Sequence, residues 1–213
     1  MTPAIKFCGM MRAADVHFAV ELGAGFVGAI FAGGPRLITA DHARRMFDGV
    51  EGARRVGVFG EQTADEIART VETARLDIVQ LHADPTPPFI EEVKAKTGVE
   101  TWAAIRVANR LENGQLSALS SCADAILFDA RAESALGGTG RAFDWSLLAN
   151  ARKGRSAPAR IVLAGGLTPR IVGEAIARVR PDVVDVSSGV ESAPGVKDPQ
   201  LMRAFVDAVR TAA

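Results

Sequence analysis

Two residues that can move protons close short apolar runs in distant parts of the chain: Cys8 in "AIKFCGMMR" and Asp129 in "AILFDA". Two titratable groups that face one space suggest one base and one acid. The two types together suit proton transfer at both ends of one substrate. Side chains alternate along a strand, which sets Lys6 and Cys8 on one face and Ile5 and Phe7 on the other. Ile5 and Phe7 suit a helix-covered face, so Lys6 and Cys8 are expected inside. A lysine turned into a packed interior is costly without a partner or a task, and its charge would favour the thiolate of Cys8. The residues alone leave two readings open, a reactive thiol and a small hydrophobe in a core.

Other polar residues stand at similar places. Ala125, Leu127 and Asp129 share a face, so Asp129 is expected inward, and the alternative is a turn cap or a partner for a nearby arginine. Gly165 and Gly166 in "LAGGLTP", and Ser188 and Gly189 in "DVSSGVE", allow backbone N–H groups to approach a phosphate closely, aided by a helix N-terminus. Ordinary tight turns explain one such loop more easily than two in neighbouring units. Arg36 in "AGGPRLIT" could clamp a carboxylate through two hydrogen bonds, or lie on the surface. His82 in "VQLHAD" could orient a substrate or merely satisfy a rim. Asp185 falls on the inward face of its run with Ser187 and suits a sugar hydroxyl. Cys122 precedes its run and is expected to be structural.

These residues need a frame that brings them together. Eight short apolar or β-branched runs (4–8, 26–31, 54–59, 77–82, 100–107, 124–130, 160–165, 182–188) alternate with helix-like segments at 12–22, 39–48, 63–75, 86–97, 113–120, 144–150, 168–179 and 198–212. Thr39, Thr63, Thr168 and Asp198 are expected N-caps, and Thr63 with Glu66 forms a capping box. Strands separated by helices require parallel pairing with right-handed crossovers. No GxGxxG follows the first strand, which argues against an open dinucleotide-binding sheet. The expectation is an α/β protein in which residues 1–213 form a single (β/α)8 TIM barrel. Active sites of this fold lie at the C-terminal ends of the strands, and the loops after strands seven and eight commonly bind phosphate. Counting round the barrel sets Cys8 and Asp129 across the mouth from each other.

Composition narrows the function classes. The 213 residues carry 25 basic and 25 acidic side chains, so no net field favours nucleic acid or an anionic membrane. The opening "MTPAIKFCGM" has no basic segment followed by an apolar one, and no apolar run approaches the ~18 residues of a membrane span. Two cysteines make no disulfide framework. A cytoplasmic protein with free thiols is expected, with neither nucleic acid nor membrane as partner; the phosphate loops add the expectation of a small phosphosugar substrate, and both monomer and homodimer stay open.

The ordered motifs "KFCGM", "QLHAD", "ILFDA", "GGTGRAFDW", "LAGGL" and "DVSSGVESAPGVKD", spanning Lys6 to Asp198, resemble those of the phosphoribosylanthranilate isomerase family. The resemblance implies a (β/α)8 barrel of tryptophan biosynthesis that performs an Amadori rearrangement without cofactor or metal. It implies Cys8 as general base and Asp129 as general acid. It also implies Arg36 on the anthranilate carboxylate and Gly165, Gly166, Ser188 and Gly189 on its phosphate, while Lys6, His82 and Asp185 are expected toward the substrate from their own places on the strands. Met11 stands where the family commonly has threonine, and Ala83 where it has glycine. The related dual-substrate isomerase of histidine biosynthesis places aspartate where Cys8 stands. The catalytic-lysine pattern of indole-glycerol-phosphate synthase is not evident. A non-catalytic phosphate-binding barrel would explain the glycine loops without requiring Cys8 or Asp129.

Overall fold

Residues of alternating parity along the strands divide the interior into two layers. β1 (Ala4–Phe7), β2 (Phe26–Ile30), β3 (Arg54–Phe59), β4 (Ile78–Leu81), β5 (Glu100–Arg106), β6 (Ala125–Asp129), β7 (Arg160–Ala164) and β8 (Val183–Val186) pair in chain order, all parallel. β8 pairs with β1 and closes the barrel in this computed structural model, which describes residues 2–106, 113–129 and 159–212. Ile5, Phe7, Ile126, Phe128, Ile161 and Leu163 pack outward beneath the helices. Phe26, Val56, Trp102, Leu127, Val162 and Val183 fill the barrel itself. Phe26 meets the Trp102 ring edge-on at 5.1 Å, an arrangement that adds about 0.5–1.5 kcal/mol beyond burial.

The strand ends fall within one or two residues of the sequence expectation. The register also explains the lysine in β1: Lys6 pairs with Asp185 across the β1–β8 seam, so the two inward side chains are neighbours. At the bottom of the barrel, Arg54, Arg160 and the Trp102 indole N–H all donate to Glu100. An open depression of about 560 Å³ lies beside this cluster, lined by Arg54, Arg55, Asp77 and Glu100. Its charged groups are paired with one another, as expected of the end of the barrel that serves stability.

The helices α1 (Ala13–Glu21), α2 (Ala40–Met46), α3 (Ala64–Ala74), α4 (Pro87–Thr97), α5 (Asn113–Ser120), α6 (Val172–Val179) and α7 (Pro199–Thr211) cover the strands. α3 buries Ile67, Val71 and Ala74, and α7 buries Met202, Phe205, Val206 and Val209, the spacing of one apolar helix face. Thr39, Thr63 and Asp198 cap as expected. Thr63 accepts from the Glu66 N–H while Glu66 accepts from the Thr63 N–H. Thr63→Ala should therefore lower stability by about 1 kcal/mol in urea unfolding, and an unchanged midpoint would show the cap to be idle.

Thr168 does not cap α6. The chain first makes a turn over 169–171, with Ile171 and Val172 both donating to the Thr168 carbonyl, and the helix starts at Val172. The expected helix at 144–150 lies outside the described residues. One element was not anticipated, a short antiparallel hairpin of β9 (Glu191–Ala193) and β10 (Val196–Lys197) following β8. It docks on the start of α1: Lys197 N–H donates to Asp15 at 3.2 Å, and Arg12 donates to the Lys197 carbonyl at 3.2 Å. Among the described residues no helix is long and apolar enough to cross a membrane.

Candidate active site

Cys8 follows β1, its N–H donating to the Val186 carbonyl at 2.8 Å, and faces the C-terminal mouth of the barrel. Two glycines make room for it and its surroundings. A Cβ at Gly28 would sit 3.1 Å from the Cys8 Sγ. Gly9 has φ +70°, and a Cβ there would lie 2.6 Å from the Arg36 Cδ and 2.9 Å from the Ser187 Oγ. The glycine directly behind the cysteine therefore lets Arg36 lie across the backbone.

Lys6 is fully buried below Cys8 and donates to Asp185 Oδ2 at 2.7 Å. The residues lining the cavity at the barrel mouth include its partner Asp185 but not Lys6 itself. Burial opposes the Lys6 charge, but Asp185 and then Cys8 outweigh it and hold the ammonium pKa above its usual value. Cys8 behaves differently. Burial pushes its thiol up, Lys6 pulls it down, Asp185 pushes it up again, and the net direction is upward. Lys6 favours the thiolate, as expected from the sequence, but the site that brings Lys6 close also removes the water that would solvate sulfur, and burial outweighs it. A raised pKa means the thiolate gains population as pH rises. Alkylation of Cys8 by iodoacetamide, followed by peptide mapping, should go on accelerating with pH beyond the point, about pH 8.5, at which an ordinary thiol levels off. A plateau already reached at neutral pH would contradict this.

Asp129 ends β6 with the inward parity of Leu127, and its Oδ2 lies 3.4 Å from His82 Nε2. Gln80, two residues earlier on β4, brings its amide nitrogen to 3.4 Å from His82 Nδ1. Arg36 donates from Nε and Nη2 to the Glu191 carboxylate at 2.8 and 2.5 Å. Glu191 also accepts from the buried Lys197 ammonium at 2.7 Å. Bonds from Arg36 and Lys197 overcome the opposing effect of burial and hold the Glu191 carboxyl below its usual pKa.

Gly165 and Gly166 adopt positive φ, 93° and 69°, directly after β7. Ser188 and Gly189 lie in a single 3-10 turn after β8. A Cβ on Gly189 would lie 1.9 Å from the Leu167 carbonyl oxygen, so the two loops approach this closely only with glycine there. The N–H groups of Gly165, Gly166, Ser188 and Gly189 make no hydrogen bond within the described residues. The expected helix N-terminus is not part of the first loop, since α6 begins only at Val172. The remaining donors are loop amides.

Cys8, Arg36, His82, Asp129, Asp185 and both glycine loops line one cavity of about 310 Å³. Asp185 Oδ1 and Ser187 Oγ, on the same wall, are buried without a hydrogen-bond partner among the described residues. Unsatisfied buried oxygens of this kind suit a hydroxyl-bearing ligand. The "GGTGRAFDW" segment lies outside the described residues. Cys122 sits beyond α5 at the other end of the barrel and donates to helix carbonyls, as expected of a structural cysteine.

Residues 5–208 match the family model described as N-(5'-phosphoribosyl)anthranilate (PRA) isomerase. The chain belongs to this isomerase family. It is an enzyme, an isomerase of tryptophan biosynthesis. A relative from Paracoccus denitrificans named N-(5'-phosphoribosyl)anthranilate isomerase is 41% identical, over 97% of this chain and 96% of that protein. The crystal structure of the Thermotoga maritima phosphoribosyl anthranilate isomerase superposes with a TM-score of 0.85 at 32% identity, covering 98% of this chain and 99% of that one. Another family structure, in complex with reduced 1-(o-carboxyphenylamino)-1-deoxyribulose 5-phosphate, gives a TM-score of 0.83 at 31% identity over 98% and 99% of the two chains.

The isomerase's two departures from the family motifs have structural explanations. Met11 packs over the hairpin turn, where a Cβ on Gly195 would meet its sulfur at 2.1 Å, and its carbonyl contacts His42 Nε2 at 2.8 Å. Ala83 is not in the left-handed region; the residue that adopts it is Asp84, with φ 41°, so no glycine is required at 83. Glu191, Lys197 and Gln80 are the site residues that the sequence reading left without a role. All three lie within quoted motifs, but nothing in the local pattern marks their partners.

Proposed function

We propose that this isomerase converts N-(5'-phosphoribosyl)anthranilate to 1-(2-carboxyphenylamino)-1-deoxyribulose 5-phosphate with Cys8 as general base and Asp129 as general acid. The meeting of a thiol, a carboxyl group and two glycine loops around one cavity carries the reading. Asp129 gives its proton to the furanose ring oxygen as the C1–O bond breaks, and the amine lone pair forms the C=N bond of an iminium. Cys8, as thiolate, takes the C2 proton. The C–H electrons form a C1=C2 bond and the iminium nitrogen recovers its lone pair. The enolamine then gains a proton at C1 and loses one from the C2 hydroxyl, leaving the ketone.

The iminium adds a cation beside a thiol that burial has made reluctant to ionise, and so favours the thiolate at the moment it is needed. Lys6 and Asp185 act together: the lysine neutralises one carboxylate oxygen from beneath, and the other is available to a substrate hydroxyl. The loop amides of Gly165, Gly166, Ser188 and Gly189 hold the phosphate, His82 orients Asp129, and Arg36 holds the anthranilate carboxylate. The reading takes residues 1–213 as one barrel domain, working in the cytoplasm as a monomer or homodimer.

The direct test generates the substrate in situ and follows loss of its anthranilate fluorescence. Rapid loss supports the reading, and no turnover despite phosphosugar binding overturns it. Arg36→Met should raise KM roughly 10–100-fold, the worth of a charge-assisted pair. An unchanged KM removes the clamp assignment.

A further inference from the structure

We infer that Glu191, held by Lys197, is a positioning residue that aims Arg36 and so sets the enzyme's preference for a carboxylate-bearing substrate. The inference rests on the reading of Arg36 as the carboxylate clamp. A guanidinium offers two forks of N–H groups. Glu191 occupies the Nε–Nη2 fork, with Nε at 2.8 Å from Oε1 and Nη2 at 2.5 Å from Oε2. Among the described residues nothing else bonds to Arg36, so the Nη1–Nη2 fork is open to a second carboxylate. Glu191 can do this because its side chain is only 4% exposed and cannot be drawn off by water.

A buried carboxylate paired with Arg36 alone would cancel the charge that the substrate must meet. Lys197 prevents this. Its Nζ donates to Glu191 Oε1 at 2.7 Å, to the Cys8 carbonyl at 2.6 Å and to the Ser187 carbonyl at 3.1 Å. Burial pulls the Lys197 pKa below its usual value and Glu191 opposes this, and three acceptors around Nζ fit the three N–H bonds of an ammonium. Two cations and one anion leave the cluster net positive toward the mouth of the barrel. The same ammonium ties the ends of β1 and β8 to Glu191, so the clamp is registered against the strand that carries Cys8. Gly9 completes the seat by letting the Arg36 stem cross its backbone. An arginine already fixed in its binding rotamer loses less freedom when substrate arrives, which is preorganisation.

The test compares the affinity of two probes, the reduced product 1-(2-carboxyphenylamino)-1-deoxyribulose 5-phosphate and its counterpart lacking the carboxyl group. They are titrated calorimetrically against the wild type, Arg36→Met, Glu191→Ala, Glu191→Gln and the double variant Arg36→Met/Glu191→Ala. The wild type should prefer the carboxylate probe strongly. Both Glu191 variants should lose about tenfold or more of that preference while binding the decarboxylated probe within about threefold of wild type, and the double variant should be no worse than Arg36→Met. Glu191→Gln keeps the side-chain volume and so decides the matter if the alanine variant does not fold. A preference lost in Arg36→Met but retained in the Glu191 variants overturns this inference. A preference retained in Arg36→Met overturns the clamp reading itself.

Discussion

Cys8→Ala is expected to lower kcat by roughly 10²–10⁴ and to leave KM within a few-fold of wild type. A base contributes only where the C–H bond is breaking, so its loss falls on the transition state rather than on binding. The substitution takes away a side chain that is 6% exposed at the end of β1, and the neighbouring Lys6–Asp185 pair remains intact below it. Serine should not restore activity, because an alkoxide forms far less readily than the thiolate. The measurement is single-substrate turnover by fluorescence loss, with binding of the reduced product as control. Near-normal turnover in the alanine variant would remove Cys8 from its role.

Asp129→Asn should produce a loss of similar size, again roughly 10²–10⁴ in kcat. The asparagine keeps the volume at the end of β6 and can still approach His82, now 3.4 Å from the carboxylate, but it has no proton to give the ring oxygen. Ring opening without that proton would expel an alkoxide, which is why the effect should be large. Binding of the reduced product, whose ring is already open, should change only a few-fold. Loss of binding in parallel with turnover would mean that Asp129 holds the substrate rather than protonating it.

Much of this arrangement was legible because a strand repeats every two residues. Parity alone put Lys6, Cys8, Asp129 and Asp185 inside, and the register pairing Lys6 with Asp185 follows once β8 closes on β1. Glycines at 165, 166 and 189 announced loops in which backbone comes close to something, although the closest approach at Gly189 is to the Leu167 carbonyl. The expected cap at Thr168 failed because the chain makes a turn before α6, and local residue preference does not distinguish that turn from a first helical turn.

Alternation and spacing were enough to read eight strands separated by helices and the inward parity of Lys6, Cys8, Asp129 and Asp185, while the roles of base and acid came from the family resemblance. Tertiary structure decided the rest. Glu191 meets Arg36 across 155 residues of chain, and Lys197 reaches the Cys8 carbonyl across 189, through a hairpin too short to leave a periodic signal. The direction of the Cys8 pKa was likewise undecidable from its neighbours in sequence. Lysine two residues away argues for a thiolate, while burial argues against it, and burial exists only once the barrel has closed.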